Sequence, residues 1–292
     1  MKLAWRPLPI VLFSAVAMLA LLAASPAHAI DCGDTSGPGD TNVPCSCGDT
    51  VTTDTDLDVF DDPVISGNCK PVGLYIAGGV RVNAHQLSQR LCADSYASTV
   101  GLWIIGNHVT IFRGVIRGCD VGILGETYGS TIQRVTTRDG AFGIALEGSG
   151  NALLYNLSRR NDVGIFVLGG GNQLQNNYCH ENGEVGLVVA GDDNSLAKNE
   201  CYYNEGYGVL VFGDANTLTR NLGKENGADG IHVEGSFNFL GDNQGRKNTG
   251  HGVFAVGGDN LTDGGNYGTE NGLKPDCSID GQSVPNSGGR RC

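Results

Sequence analysis

Apolar residues recur in this chain with a fixed period between residues 100 and 273. Each period carries an apolar–Gly–apolar step, and its glycines are Gly101, Gly122, Gly143, Gly164, Gly186, Gly208, Gly230 and Gly252. Successive glycines are 21 or 22 residues apart, and from the third period an Asn follows each Gly by eight positions. A constant spacing of this length is typical of a solenoid in which one period forms one coil.

Three short strands are predicted within each coil. In residues 163–184, apolar residues alternate from Gly164 onward, and Asn172 and Asn177 each begin a further short segment. Alternation indicates strands, and Gly and Asn fall where they would interrupt a helix. We therefore expect an all-β chain whose repeats contain no helix.

Stacking the coils predicts which side chains face the core. The residue after each Gly is aliphatic, and a Leu column lies two positions past the first Asn: Leu153, Leu174, Leu196, Leu218 and Leu240. A column of small residues lies two past the second Asn: Ser158, Cys179, Cys201, Gly223 and Gly245. The Asn columns predict amide ladders along the axis, since equivalent residues on stacked strands are about 4.8 Å apart. We assign these asparagines a structural role.

The two ends of the chain differ from the repeats. Residues 1–29 have the parts of a secretory signal: basic Lys2 and Arg6, an apolar run, and the cleavage triplet Ala27-His28-Ala29. Cleavage of this signal predicts a secreted or periplasmic protein without a membrane span. We divide the remainder into a Cys-rich cap (30–71), the coils (72–272) and a tail (273–292), with a loop between residues 87 and 98 enlarging the first rung.

Cysteine count and charge narrow the picture further. Ten cysteines in an exported chain predict disulfides, although their pairing stays open. Cys179 and Cys201 occupy one inward column on adjacent rungs, where they could form a bridge or remain buried thiols. The chain carries 31 acidic against 19 basic residues, a formal net charge of −12. This balance argues against nucleic acid as a partner.

The repeat resembles the right-handed parallel β-helix superfamily, which includes pectate-lyase-like enzymes. The resemblance covers residues 72–272, and Cys47-Gly48-Asp49-Thr50 with its Thr-rich continuation resembles the entry segment of such proteins. It implies a single-stranded right-handed parallel β-helix of about nine coils of 21–22 residues. The resemblance further implies a substrate-binding face. In pectate-lyase-like proteins, substrate lies along one face of the helix, and an Arg or Lys base acts beside carboxylates that hold calcium.

Basic residues concentrate in two columns of this otherwise acidic chain. The first basic column lies four positions past the first Asn or its equivalent: Arg113, Arg134, Tyr155, Asn176, Lys198, Arg220 and Asp242. The second basic column lies three positions past the second Asn: Arg117, Arg138, Arg159, His180, Tyr202, Lys224 and Arg246. Stacked cations repel one another and attract anions between them, so an acidic polysaccharide is the predicted ligand. The alternative is an exposed strand face whose bases pair with acids such as Glu181 and Glu225.

Candidate roles follow from these columns. The predicted substrate-binding residues are Arg113, Arg117, Arg134, Arg138, Arg159, His180, Lys224 and Arg246. Where the resemblance implies calcium-binding Asp residues, the first basic column carries Tyr155, Asn176, Lys198 and Arg220, so calcium stays open and the metal ligands unknown. A metal-free elimination or epimerisation would use Lys198 or Arg220 as base and Tyr155 or Tyr202 as acid.

Three other features of the sequence are weighed as functional sites, and each favours a structural interpretation or argues against the site. Gly250-His251-Gly252 resembles a short polygalacturonase motif, but the acidic strand motifs of that family are absent, and His251 occupies a packing column. Few histidines and no Met after residue 29 argue against a copper site. An outward stripe two and four positions past Gly is more typical of a covered face than of a sugar platform: Trp103, Phe166, Leu168, Val188, Leu210, Phe212, Phe254 and Val256.

The sequence therefore predicts an exported β-helix that binds an acidic polysaccharide. Whether it also processes the polymer stays open; lyase- or epimerase-type chemistry is favoured over glycoside hydrolysis. The competing hypothesis is a non-catalytic structural or adhesive β-helix. Oligomeric state is not constrained.

Overall fold

The computed structural model describes residues 30–34, 43–57, 69–87, 92, 99–280 and 291–292. The predicted signal segment and most of the enlarged first-rung loop lie outside these residues. Three parallel β-sheets wind into a right-handed solenoid of about ten turns, and the described residues contain no helix. The predicted all-β parallel helix is thus confirmed.

The strands of each coil belong to three sheets. Sheet 1 contains β1 (Asp31–Cys32), β2 (Asp49–Val51), β4 (Val72–Ile76), β6 (Val100–Ile104), β9 (Val121–Glu126), β12 (Phe142–Glu147), β15 (Val163–Leu168), β18 (Val185–Ala190), β21 (Val209–Phe212), β24 (Ile231–Ser236), β27 (Val253–Gly258) and β30 (Cys277–Ile279). Sheet 2 contains β3 (Thr55–Asp56), β5 (Arg81–Asn83), β7 (Thr110–Phe112), β10 (Thr131–Gln133), β13 (Ala152–Leu154), β16 (Gln173–Gln175), β19 (Ser195–Ala197), β22 (Thr217–Thr219), β25 (Phe239–Gly241) and β28 (Leu261–Thr262). Sheet 3 contains β8 (Val115–Arg117), β11 (Thr136–Arg138), β14 (Leu157–Arg159), β17 (Tyr178–His180), β20 (Glu200–Tyr202), β23 (Leu222–Lys224), β26 (Gln244–Arg246) and β29 (Tyr267–Thr269).

Sheet 1 continues beyond the predicted coil region at both ends. In the predicted cap, β2 pairs with β4, and in the predicted tail β30 pairs with β27, both in parallel. The terminal segments therefore add strands to the same stack of coils.

The central coils turn at corners formed by one left-handed residue and one buried Asn. In a central coil, Gly171, Asn176 and Glu181 have φ values of 66°, 53° and 56°. Each directly precedes a ladder asparagine, namely Asn172, Asn177 or Asn182, and these three are at most 1% exposed. A single left-handed residue changes the chain direction sharply, and the following amide satisfies the main chain that the corner leaves unpaired.

The ladder amides bond along the axis. Asn199 Oδ1 accepts from the backbone N–H of Asn177 at 3.0 Å and from Asn177 Nδ2 at 2.9 Å. Asn199 Nδ2 in turn donates to Leu174 O at 2.8 Å and to Asn221 Oδ1 at 3.0 Å. Every amide in the ladder thus points the same way, with its donor toward the C-terminal coils. The predicted Asn ladders are confirmed.

Carboxylates accept the last donors of two ladders. Asn260 donates to Asp280 through its backbone N–H and its Nδ2, both at 2.8 Å. The backbone N–H of Asn271 donates to Asp276 Oδ1 at 2.9 Å, and Lys274 Nζ donates to Asp276 Oδ2 at 2.6 Å. A carboxylate only accepts hydrogen bonds, so it fits a ladder that ends on donors.

The inward columns form the core, as predicted. Leu153, Leu174 and Leu196 are fully buried, and so are the small residues Ser158 and Cys179. The glycine step has a steric cause: a Cβ at Gly164 would overlap Gly186 O of the next coil and crowd Asn182 Nδ2. The period seen in the sequence therefore reports close contact between consecutive coils.

Four disulfides join residues near the two ends of the solenoid: Cys32–Cys45, Cys47–Cys69, Cys92–Cys119 and Cys277–Cys292. Cys179 and Cys201 are free and buried, so of the two alternatives left open by the sequence, the structure has thiols.

Candidate functional site

The second basic column lies on the outer face of sheet 3, at the last residue of each strand. Arg117, Arg138 and Arg159 stand side by side on β8, β11 and β14, and His180 continues the row on β17. Inward neighbours such as Thr137 and Ser158 are fully buried, so alternation directs the arginines outward. Neighbouring cations in this row are about 4.8 Å apart.

The row is only partly compensated by acids. Arg138 Nη1 lies 3.6 Å from Asp139 Oδ2, whereas the Nε atoms of Arg117 and Arg159 are buried without a hydrogen-bond partner. Burial lowers the pKa of Arg138, and the charges of Arg117 and Arg159 act in the same direction while Asp139 opposes them. The row thus combines buried guanidinium donors with charges that repel one another.

Aromatic rings extend the row toward the C-terminal coils. The rings of His180 and Tyr202 stack with centroids 5.0 Å apart and planes 1° apart. Burial lowers the pKa of His180, with Arg159 adding to the effect and Glu181 opposing it. Burial, followed by the charges of Glu200 and Glu181, raises the pKa of Tyr202. The imidazole is therefore neutral and the phenol protonated at neutral pH. Beyond them lie Lys224, 3.4 Å from Glu225, and the exposed Arg246.

The first basic column occupies the corner between sheets 2 and 3. Its members have left-handed backbone angles, and their φ values lie between 53° and 64°: Arg113, Arg134, Tyr155, Asn176, Lys198, Arg220 and Asp242. Tyr155 and Arg220 are half or more exposed, and Lys198 is exposed. Arg220 and Lys198 stand on adjacent coils, while Tyr155 is separated from Lys198 by the coil of Asn176. The fourth predicted catalytic residue, Tyr202, lies on the neighbouring sheet.

Contacts within the first basic column are few. Arg134 lies 6.0 Å from the Tyr155 ring centroid, and Arg220 Nε lies 3.5 Å from Asp242 Oδ2. This donor set does not fit calcium, which prefers carboxylate and carbonyl oxygens. Within the described residues, no group of three His, Cys, Asp or Glu side chains is close enough to hold a metal ion.

The outer face of sheet 1 changes character along the axis. Over most coils it is apolar, and Phe166, Val188 and Leu210 of the predicted stripe are at most 3% exposed, whereas Phe254 is partly exposed. From Tyr207 onward, polar and aromatic side chains take over this face. We call the set Tyr207, Asp229, His232, Glu234 and His251 the terminal acid–base cluster.

Asp229 is the centre of the terminal acid–base cluster. It is 7% exposed; its Oδ2 lies 2.6 Å from His232 Nδ1, and its Oδ1 accepts from the backbone N–H of His251 at 2.5 Å. On the other side of the ring, His232 Nε2 lies 3.2 Å from Glu234 Oε1. His251 is fixed separately, since its Nδ1 lies 2.8 Å from Pro275 O. Asp229 therefore orients His232, and Nε2 faces the carboxylate of Glu234.

Aromatic rings enclose His232 on two sides. The Tyr207 ring meets it edge to face with centroids 5.1 Å apart, and the Phe254 ring lies 5.2 Å away. Phe254 also stacks on His251 at 4.8 Å. Burial, followed by the charges of Asp229 and Glu234, raises the pKa of Tyr207. The phenol therefore keeps its proton at neutral pH.

Comparison with known proteins identifies the family to which the fold belongs. A family model described as "right handed beta helix region" matches residues 121–267. The chain belongs to the right-handed β-helix family. No curated protein sequence matches it. The part of this β-helix protein that the structure describes contains no helix long and apolar enough to cross a membrane.

Solved β-helix structures resemble the chain at low sequence identity. The A-module of the mannuronan C-5 epimerase AlgE6 from Azotobacter vinelandii has a TM-score of 0.51 and 14% identity, covering 80% of this chain and 68% of that one. A variant of the periplasmic alginate epimerase AlgG has a TM-score of 0.50 and 17% identity, covering 69% of this chain. The match spans 55% of the AlgG chain, a little over half its length. At these identities the similarity concerns the fold.

Sequence reasoning missed most of the terminal acid–base cluster of this β-helix protein. The residue before Gly is Val or Phe from Val100 to Val185, and then becomes Tyr207, Asp229 and His251 on three successive coils. Interpreting His251 alone as a packing residue overlooked that change. A column that turns from apolar to titratable over neighbouring coils is the signal that could have revealed the cluster.

Proposed function

We propose that this β-helix protein binds an acidic polysaccharide along the second basic column. The observation that supports the proposal is the row of Arg117, Arg138 and Arg159 in register on adjacent strands, with two buried Nε donors left without partners. Guanidinium groups bind carboxylate and sulfate oxygens through charge-assisted hydrogen bonds. A polymer with an anion on each sugar can supply such oxygens repeatedly along the axis.

The net charge of the chain predicts how polysaccharide binding depends on salt. A net charge of −12 repels a polyanion at long range, so attraction depends on the local positive row. Exposed charges are screened within about 8 Å at physiological ionic strength. Binding should therefore fall steeply as salt is raised, and neutral polysaccharides should not bind.

Binding is tested by affinity electrophoresis or calorimetry with alginate, pectate and a sulfated glycosaminoglycan. We expect the double variant Arg138→Gln and Arg159→Gln to lose binding at least tenfold, the equivalent of about 1.4 kcal/mol. Arg81→Gln is the matched control, because Arg81 stacks on Phe112 at 4.3 Å on sheet 2. Equal binding by the double variant and the wild type would refute the assignment. No salt-sensitive binding to any of the polymers would leave the structural or adhesive hypothesis.

Processing of the polymer by elimination or epimerisation is the finer part of the proposal. Lys198, Arg220, Tyr155 and Tyr202 remain its sequence-based catalytic candidates. Loss of unsaturated or epimerised uronate in Lys198→Ala and Arg220→Ala would assign the chemistry to these residues, whereas a purely structural protein yields neither product from any polymer.

We also propose that the protein is exported. The signal-like segment 1–29 and the four disulfides support this, since disulfides persist in oxidising compartments. Amino-terminal sequencing of protein from the periplasm or medium should begin near Ile30. Recovery of full-length chain from the cytoplasm would contradict export.

A further inference from the structure

We propose that the terminal acid–base cluster is a proton-transfer site, with His232 as base and Tyr207 as acid, acting on a uronate sugar. The substrate class rests on the proposed acidic polysaccharide. The site itself lies on sheet 1, and its proposed base and acid belong to neither basic column.

The geometry around His232 is that of an oriented base. Asp229 is almost fully buried and fixes Nδ1 at 2.6 Å, so the ring cannot turn freely. A carboxylate acceptor at Nδ1 places the Nδ1 proton in that bond and directs reactivity to Nε2. Nε2 lies 3.2 Å from Oε1 of Glu234, whose side chain is 46% exposed, so a ligand would displace Glu234 to reach Nε2. Asp229 is thus a positioning residue and His232 the proposed catalytic residue.

Tyr207 is suited to the opposite role. Its ring contacts His232 directly, and the surrounding burial and carboxylates hold the phenol in its protonated form. A protonated phenol can donate a proton or a hydrogen bond but cannot act as a base. Two side chains that can accept and donate a proton, held in ring contact, provide both halves of a proton transfer.

Neighbouring residues supply a platform and positive charge. Phe254 contacts both histidines and presents a partly exposed ring, which suits the apolar face of a sugar. In the same coils, Lys224 precedes Asp229 by five residues, and Arg246 precedes His251 by five. The C-terminal end of the second basic column and the cluster therefore flank the same corner of the solenoid, between sheets 3 and 1.

The chemical step is removal of the C5 proton, which is acidified by the adjacent carboxylate. His232 Nε2 takes the proton, and the electron pair of the C–H bond moves into the carboxylate to form an enediolate. In one outcome solvent returns a proton to the opposite face of C5, which gives the epimer, while the Tyr207 hydroxyl donates a hydrogen bond to the uronate. In the other, the C4–O bond breaks, a C4–C5 double bond forms, and Tyr207 protonates the leaving oxygen. Neither outcome needs an oxidant or reductant.

The experiment is incubation of the full mature chain with millimolar oligomannuronate, oligoguluronate and oligogalacturonate in D₂O. NMR reports deuterium at C5, and ultraviolet absorbance reports unsaturated uronate. We expect one of these signals from the wild type and a loss of about 10²–10⁴-fold in rate for His232→Gln and for Tyr207→Phe. Asp229→Asn should lower kcat with little change in KM, and Asp229→Glu should recover part of the rate.

Controls separate this site from binding and from folding. His108→Gln and Tyr128→Phe make the same changes at exposed positions of other turns and should leave the rate unchanged. His232→Gln should retain salt-sensitive binding, whereas the Arg138→Gln and Arg159→Gln double variant should lose it. Binding without either product overturns the inference and leaves the proposed function intact. Millimolar oligomer does not require tight binding, so absence of product at that concentration overturns the inference whatever the binding assay shows. A rate for His232→Gln within about tenfold of the wild-type rate also overturns it.

Discussion

Asn199→Ala tests whether the amide ladders stabilise the solenoid. Asn199 is fully buried in the middle of its ladder and takes part in five hydrogen bonds through its side chain and backbone N–H. The substitution removes the four side-chain bonds and keeps the backbone bond to Asn221. It leaves the buried N–H of Asn177 without the acceptor at 3.0 Å.

The expected loss follows from those four bonds. At about 1 kcal/mol net for each, the free energy of unfolding should fall by about 4 kcal/mol. Asn199→Asp should be at least as harmful at neutral pH, because a carboxylate would face Leu174 O and Asn221 Oδ1, which are both acceptors. An acceptor-only side chain suits the end of a ladder and not its middle.

The measurement is equilibrium urea unfolding followed by circular dichroism. Gln173→Ala is the control, since it also deletes an amide but from an exposed outward position, and it should change stability by less than about 0.5 kcal/mol. If Asn199→Ala costs no more than Gln173→Ala, the ladder contributes nothing beyond strand pairing and the reasoning is wrong.

Three further predictions concern stability and reactivity. The pKa of Asp276 is lowered, because hydrogen bonds from Lys274 and Asn271 outweigh the opposing effect of burial. Its contribution to stability is therefore present above the ordinary carboxyl pKa and is lost as pH falls through the lower, folded-state value. Acid titration of the unfolding free energy should show this loss in the wild type and not in Asp276→Asn. Leu196→Ala should cost about 2–5 kcal/mol in the same urea assay, because Leu196 is fully buried, and a cost below about 1 kcal/mol would contradict its core position. Cys179 and Cys201 should react with a thiol reagent only on unfolding, since burial raises the pKa of Cys201 well above its ordinary value; rapid labelling of the folded protein would contradict this.

Much of the fold could be predicted because each coil repeats the same contacts. The column from Leu153 to Leu240 identified the core, and the regular Asn spacing identified the ladders, since both follow from stacking equivalent residues. The left-handed conformation of Lys198 and Arg220 could not be predicted in this way. Arg113 and Arg134 have the same left-handed angle although no Asn follows them, and a side-chain pattern alone does not distinguish a corner from a strand end.

The candidate sites were predictable to different degrees. The row of Arg117, Arg138 and Arg159 repeats with the coil, so the sequence period brought its members together. Asp229 belongs to the column before Gly and His232 to the column two positions after Gly. Their contact occurs in one coil only, so the repeat period does not predict it. Disulfide partners such as Cys92 and Cys119 are likewise set by irregular segments, whose distances the period does not fix.

The one-way direction of the ladders makes the coils interchangeable building units. The backbone N–H of each central ladder Asn bonds to the amide oxygen one coil away, so a whole coil can be removed or copied while that bond still finds an equivalent partner. The rod can thus change length in steps of about 4.8 Å without redesign of its core. Asp276 and Asp280 accept the last donors of two ladders, and these carboxylates mark the end of the stack.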